Sequence, residues 1–239
     1  MKGVLFDLGS TLLEYLREQV MLALLAEQGF EVEVSEIIRA YDAVEPAWTR
    51  LYWVYLPDTQ RSIDTALLQL DRMLLEHLHL KGDLESLAKF VQENWDRKER
   101  ELPSVQVRRA YPDALPCIEK IHRQKLKMGI VSNIQSEERL RTELKTIGLL
   151  DFFPALVASG TVGMEKPQRE IFDLGARKIG LEPREILFVG DDLERDYKGA
   201  LGAGMNPVLV DRNQRHMDQP LLKRVTSLEE VPELLESDR

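Results

Sequence analysis

The first apolar run of the chain, GVLFD, ends on an aspartate, and later runs end in residues equally suited to chemistry. KMGIVSN ends on Ser132 and Asn133, SGTVGMEKP supplies Lys166, and EILFVGDDLERD supplies Asp191, Asp192 and Asp196. Each has an ordinary explanation alone, since acidic residues cap helices and Ser-Asn is a common turn pair. Gathered at one place, they form a set with a specific use. A carboxylate attacks phosphorus only when the charge on the phosphate is offset, because two anions repel at contact distance. Asp7, Asp191 and a backbone carbonyl suit Mg²⁺, a hard cation that takes oxygen ligands. Lys166 adds a second positive charge, and Ser132 with backbone N–H groups completes an anion cradle. Asp192 and Asp196 would hold metal-bound waters or orient Lys166. The chemistry is then two-step phosphoryl transfer, with an aspartyl phosphate formed on Asp7 and cleared by water.

For these residues to meet, the apolar runs must lie side by side. GVLFD, KMGIVSN, PALVAS, EILFVGDD and NPVLV alternate with segments of helical period, such as Leu140, Leu144 and Ile147, or Ile171, Gly175, Ala176 and Ile179. Unbroken apolar strands alternating with helices predict a parallel sheet covered on both faces, with ligands at the carboxyl ends of the strands. The gap from Asp7 to the next convincing strand at Lys127 far exceeds the dozen or so residues of a crossover. Within it, Leu13, Leu16, Val20 and Leu24 form one stripe, Ile63, Leu67, Leu70, Leu74 and Leu78 a second, and Leu84, Leu87, Val91 and Trp95 a third. The expected architecture is a Rossmann-like α/β core, residues 1–14 and 106–239, with an inserted all-helical cap, residues 15–105. Tyr41, Trp48, Tyr52 and Tyr55 are spaced as the cap's own aromatic core, with Pro46 breaking or starting a helix.

Composition narrows the partners. The 239 residues carry 32 basic and 41 acidic side chains, a formal charge of −9, which argues against nucleic acid or an anionic membrane. No apolar run approaches the roughly 18 residues that span a bilayer, and Val4 to Phe6 is too short for a signal peptide. The single cysteine, Cys117, supports neither an internal disulfide nor a metal cluster. His77, His79, His122 and His216 have no ligand-like spacing, and exposed arginines such as Arg50 and Arg61 carry no signature. The expectation is a cytoplasmic protein acting on a small phosphorylated metabolite, with no sign of its oligomeric state.

The motifs resemble those of the haloacid dehalogenase superfamily, in its phosphatase-like branch with a helical cap after strand one. The likeness covers residues 2 to 15 and about 110 to 211. It includes YPDALPCIEKIHRQKLKMGIVSN and SGTVGMEKPQREIFDLGARKIGLEPREILFVGDDLERDYKGALGAGM. Carried over by motif, it implies Asp7 as nucleophile, Thr11, Ser132, Asn133 and Lys166 around the substrate, and Mg²⁺ on Asp7, Asp191 and the Gly9 carbonyl, supported by Asp192 or Asp196.

One position departs from the pattern. The family's first motif is Asp-x-Asp-Gly-Thr, and here it reads Asp7-Leu8-Gly9-Ser10-Thr11. The resemblance implies that the missing aspartate would protonate the leaving oxygen and then activate water, help worth ~10²–10⁴ in rate. Three readings follow. The chain is a phosphatase in which water or another group, with Glu14 nearest in sequence, replaces the lost acid. It is a metal-independent 2-haloacid dehalogenase, whose relatives also lack that aspartate, although the retained VGDD motif weighs against it. Or it is a slow, phospho-ligand- or protein-binding member.

Overall fold

In the computed structural model of the protein, the described backbone covers residues 1–55 and 60–236, with side chains throughout except at positions 45, 48–55, 60–64, 66 and 236. Trp48, Tyr52, Tyr55, Arg50, Arg61 and Ile63 therefore lie outside the described side chains. The chain divides into two compact units, Met1–Tyr15 with Arg108–Arg239, and Leu16–Val107.

The described strands are β1 (Gly3–Phe6), β2 (Leu13–Tyr15), β3 (Arg108–Ala110), β4 (Lys127–Ser132), β5 (Ala155–Ala158), β6 (Ile186–Gly190), β7 (Asn206–Val210) and β8 (Arg224–Val225). Six of them form one sheet in the order β5-β4-β1-β6-β7-β8, every pairing parallel. The unbroken apolar runs explain this arrangement, because successive side chains point to opposite faces and both faces are buried. Val4 and Phe6 join Ile130 and Val189 in one core cluster with Ile118, Ile121, Leu140 and Leu144. Leu5 joins Val131 and Phe188 in the other, with Ile171, Phe172 and Ala176. Phe172 meets Phe188 edge-on at 5.0 Å between ring centroids. Each fully buried large apolar side chain contributes about 1.5–3 kcal/mol. The sheet that presents the strand ends is thus a rigid platform.

In the second unit, all regular structure among the described residues is helical: Arg17–Glu27, Val34–Tyr55, Gln60–His77, Leu84–Glu101 and Ser104–Val107. Val20, Leu24, Ile37, Leu74 and Val91 are buried together at its centre. Asp83 caps the helix Leu84–Glu101, accepting from the backbone N–H groups of Glu85 and Ser86. Two expectations need correction. Leu13 belongs to β2, not to the first helical stripe, because it pairs antiparallel with Ala110 of β3 and is buried in the core of the first unit. Pro46 neither breaks nor starts a helix. The helix Val34–Tyr55 runs through it, and burial of Ile37, Ala40 and Val44 on that helix offsets a proline penalty of about 3 kcal/mol.

Candidate active site

Register places the chemistry. Phe6 stands level with Ile130 on one neighbouring strand and Val189 on the other. Asp7, one residue past Phe6, therefore emerges at the same sheet edge as Ser132, two past Ile130, and Asp191, two past Val189. The Asp7 N–H still donates to the Val189 carbonyl at 2.9 Å, so the sheet ladder reaches the carboxylate-bearing residue itself.

Lys166 joins the set from a separate loop. Its Nζ donates to Asp7 Oδ1 and to Asp196 Oδ1, both at 2.6 Å, and the side chain is 3% exposed. The face of Phe188 lies 5.6 Å from the ammonium. Asn133 holds the lysine's backbone: its Nδ2 donates to the Lys166 carbonyl at 3.0 Å, and its Oδ1 accepts from the Lys166 N–H at 2.8 Å. Both ends of the Asn133 amide are therefore engaged with Lys166.

The loop after β6 divides its three aspartates by task. Asp192 caps the single π-helical turn Leu193–Lys198, accepting from the N–H groups of Glu194 and Arg195 at 2.9 and 2.8 Å. Asp196 uses Oδ1 for Lys166 and Oδ2 for the Asp192 N–H at 3.0 Å. Asp191 keeps more freedom, with Oδ1 accepting from Thr11 Oγ1 at 3.0 Å. The Thr11 hydroxyl is thus directed at a carboxylate. Gly190 was not singled out from sequence, yet the site requires it. A Cβ there would run into the Asp196 carboxylate and push it off Lys166. Its only signal was its place before the aspartate pair in VGDD.

The cluster is short of positive charge. Burial, then the neighbouring carboxylate of Asp196, raise the Asp7 carboxyl above its ordinary value, although Lys166 opposes the rise. Asp191 is raised further, by burial and then by Asp196 and Asp7. Burial pulls Lys166 down, but Asp196 and Asp7 more than offset it, so the ammonium stays charged. Carboxylate oxygens of Asp7, Asp191 and Asp196 lie within 4.8 Å of one another. A divalent cation would bring these three carboxylates and Lys166 to neutrality. This donor set, all hard oxygen, fits Mg²⁺ or a similar ion.

Three further positions bear on the expectations. Ser132 closes β4 and is buried at this same edge. Glu14 is bound elsewhere, its Oε2 2.5 Å from Arg109 Nε across the β2–β3 pair. At Gly9, an added Cβ would meet one atom within 4 Å, Tyr15 Cε2 at 3.6 Å, so the position has room for a side chain.

Comparison with known proteins shows the family and the fold. The model of the haloacid dehalogenase-like hydrolases matches residues 1–204. Glyceraldehyde 3-phosphate phosphatase of Methanopyrus kandleri is 34% identical over 110 residues, covering 46% of this chain and 47% of that protein. Phosphoserine phosphatase of Thermus thermophilus is 30% identical over 148 residues, covering 62% and 57%. The chain thus spans about half the length of these relatives. A magnesium-bound crystal structure of the Bacillus subtilis HAD-hydrolase YfnB superposes with a TM-score of 0.70 at 21% identity, covering 98% of each chain. Solved structures of this fold include proteins named as HAD phosphatases and as 2-haloacid dehalogenases, so the fold alone does not choose between those reactions.

Proposed function

This chain belongs to the haloacid dehalogenase-like hydrolase family, and on that premise we propose that it is a divalent-cation-dependent phosphatase of a small phosphorylated metabolite. The observation that carries the proposal is the Lys166 ammonium shared between Asp7 and Asp196, with Asp191 close enough to complete an oxygen-rich cation site. The carboxylates of Asp7 and Asp191 and the Gly9 carbonyl would hold Mg²⁺, which when bound screens the phosphate charge and draws electron density from phosphorus.

The residues then have separate tasks. Lys166 grips Oδ1 of Asp7, fixing the carboxylate so that its other oxygen attacks phosphorus. An O–P bond forms to Asp7 and the P–O bond to the leaving group breaks, giving an aspartyl phosphate. Lys166 and the Ser132 hydroxyl stabilise the non-bridging phosphate oxygens, while Asp196 and Asn133 keep the lysine in place. Water then cleaves the acyl phosphate, releasing inorganic phosphate and restoring the carboxylate. With glycine at position 9, the leaving oxygen takes its proton from water, or is stable enough to need none. Substrates with good leaving groups, such as acyl or aryl phosphates, should therefore suffer least.

A panel of phosphorylated metabolites assayed with Mg²⁺ and with EDTA, beside a 2-haloacid control, tests the proposal. Mg²⁺-dependent phosphate release that disappears in Asp7→Asn is the expected result. Halide release that persists in EDTA would replace this reading with carbon–halogen hydrolysis. Turnover surviving in Asp7→Asn would remove the nucleophile.

A further inference from the structure

We propose that Asp113 and Arg212 are positioning residues for the cation site, acting through Thr11; the inference rests on the cation-site reading above. Four segments distant in sequence meet at this pair. Arg212, just past β7, donates from Nη1 to Asp113 Oδ2 at 2.7 Å and from Nη2 to Asp113 Oδ1 at 3.0 Å, a bidentate fork. The same Nη2 donates to the Thr11 carbonyl at 3.0 Å. The guanidinium lies 3.9 Å over the ring of Tyr111, whose own N–H donates to the Leu12 carbonyl at 3.0 Å. Asp113 Oδ2 also accepts from Ser227 Oγ and from the Leu228 N–H, each at 2.9 Å.

The consequence falls on Asp191. Thr11 is fully buried, and its hydroxyl makes the 3.0 Å bond to Asp191 Oδ1. Its carbonyl is held from the other side by Arg212. Ser10, the residue before it, sits at a φ of 55°, in the left-handed region that non-glycine residues rarely adopt. A turn of this kind keeps its shape when its surroundings over-determine it, and the Arg212 fork supplies such a restraint. Among the described residues, neither Asp113 nor Arg212 makes a hydrogen bond or ion pair with Asp7 or Asp191, and the Thr11 turn is the link between them and the cation site. Groups that orient metal ligands from one step away typically matter by 10–100-fold in metal affinity.

The test uses the full chain, with Arg212→Lys as the principal variant and Asp113→Asn as the second. Lysine keeps the charge but loses the fork and the simultaneous reach to the Thr11 carbonyl. Mg²⁺ binding is measured by calorimetry without substrate, beside thermal unfolding of the same samples. Cation affinity should fall by about tenfold in either variant, the low end of what losing a group bonded directly to a metal ligand costs, because the pair acts through Thr11. Thr11→Val removes the last link directly, so adding Arg212→Lys to it should weaken binding by much less than Arg212→Lys does alone. If the pair is only a structural staple, the melting temperature drops while Mg²⁺ affinity stays within about threefold of the parent, and the proposal is overturned. Full additivity with Thr11→Val overturns it as well. A parent protein that binds no divalent cation refutes the cation-site reading itself, and this inference with it. That outcome is distinct from a parent that binds and variants that bind equally.

Discussion

Replacing Gly9 with aspartate tests whether the departure in the first motif limits the rate. The backbone at Gly9 has no left-handed φ, and the new Cβ would make one ordinary contact, to Tyr15 Cε2 at 3.6 Å. The variant should fold. Its carboxylate would lie two residues from Asp7, which burial and then Asp196 raise above the ordinary carboxylate range, as burial, Asp196 and Asp7 raise Asp191. A carboxyl at this position would take the acid–base role that the family's first motif gives it, protonating the leaving oxygen and then activating water. A restored acid–base group is worth ~10²–10⁴ in rate, or about 2.7–5.4 kcal/mol of barrier at 1.36 kcal/mol per factor of ten. The gain should depend on the leaving group. An alkyl phosphate needs a proton on its departing oxygen and should gain most of that factor, whereas p-nitrophenyl phosphate should gain less than about tenfold. Steady-state phosphate release from both substrates at saturating Mg²⁺ gives the ratio. Equal gains for the two, or no gain in a folded variant that still binds the cation, would refute the reasoning.

Two other outcomes follow from particular contacts. Glu14→Gln should leave turnover within about threefold of the parent, because Glu14 is engaged with Arg109; steady-state kinetics showing a loss on the scale of general acid catalysis, ~10²-fold or more, would make Glu14 the replacement acid after all. Asp71, in the helix Gln60–His77, is pushed by burial to about 7. Because the folded value lies above the unfolded value of ~3.9, its contribution is complete below pH ~4 and is lost as pH rises through about 7. Asp71→Asn should therefore be more stable than the parent at pH 8 by on the order of 1–3 kcal/mol, with the difference shrinking toward pH 4. Urea unfolding across that range checks it, and parallel pH profiles for the two proteins would contradict it.

The five strands foreseen in the large sheet were legible because each is an unbroken apolar run with a polar residue at its end. That pattern is local, and a parallel sheet buried on both faces leaves few alternatives for it. The shorter β2, β3 and β8 were not legible, since two or three residues are too few for any periodicity to show. Leu13 was read into a helical stripe for the same reason. Pro46 misled in the other direction, because a local rule about proline gave way to burial of the helix around it.

The residue types at the sheet edge, the glycine at position 9 and the long helical insertion could all be read from the order of amino acids, because each depends only on near neighbours. Which carboxylate does what could not. Asp192 and Asp196 look interchangeable in VGDDLERD, yet one caps a turn and the other holds Lys166. Thr11 and Asp191 are 180 positions apart, and Asp113 and Arg212 are 99 apart. Hydrogen bonds at such separations leave no periodic trace in the chain. They exist only after the sheet has set its register and brought these side chains within reach of one another, where burial makes every unpaired polar group costly.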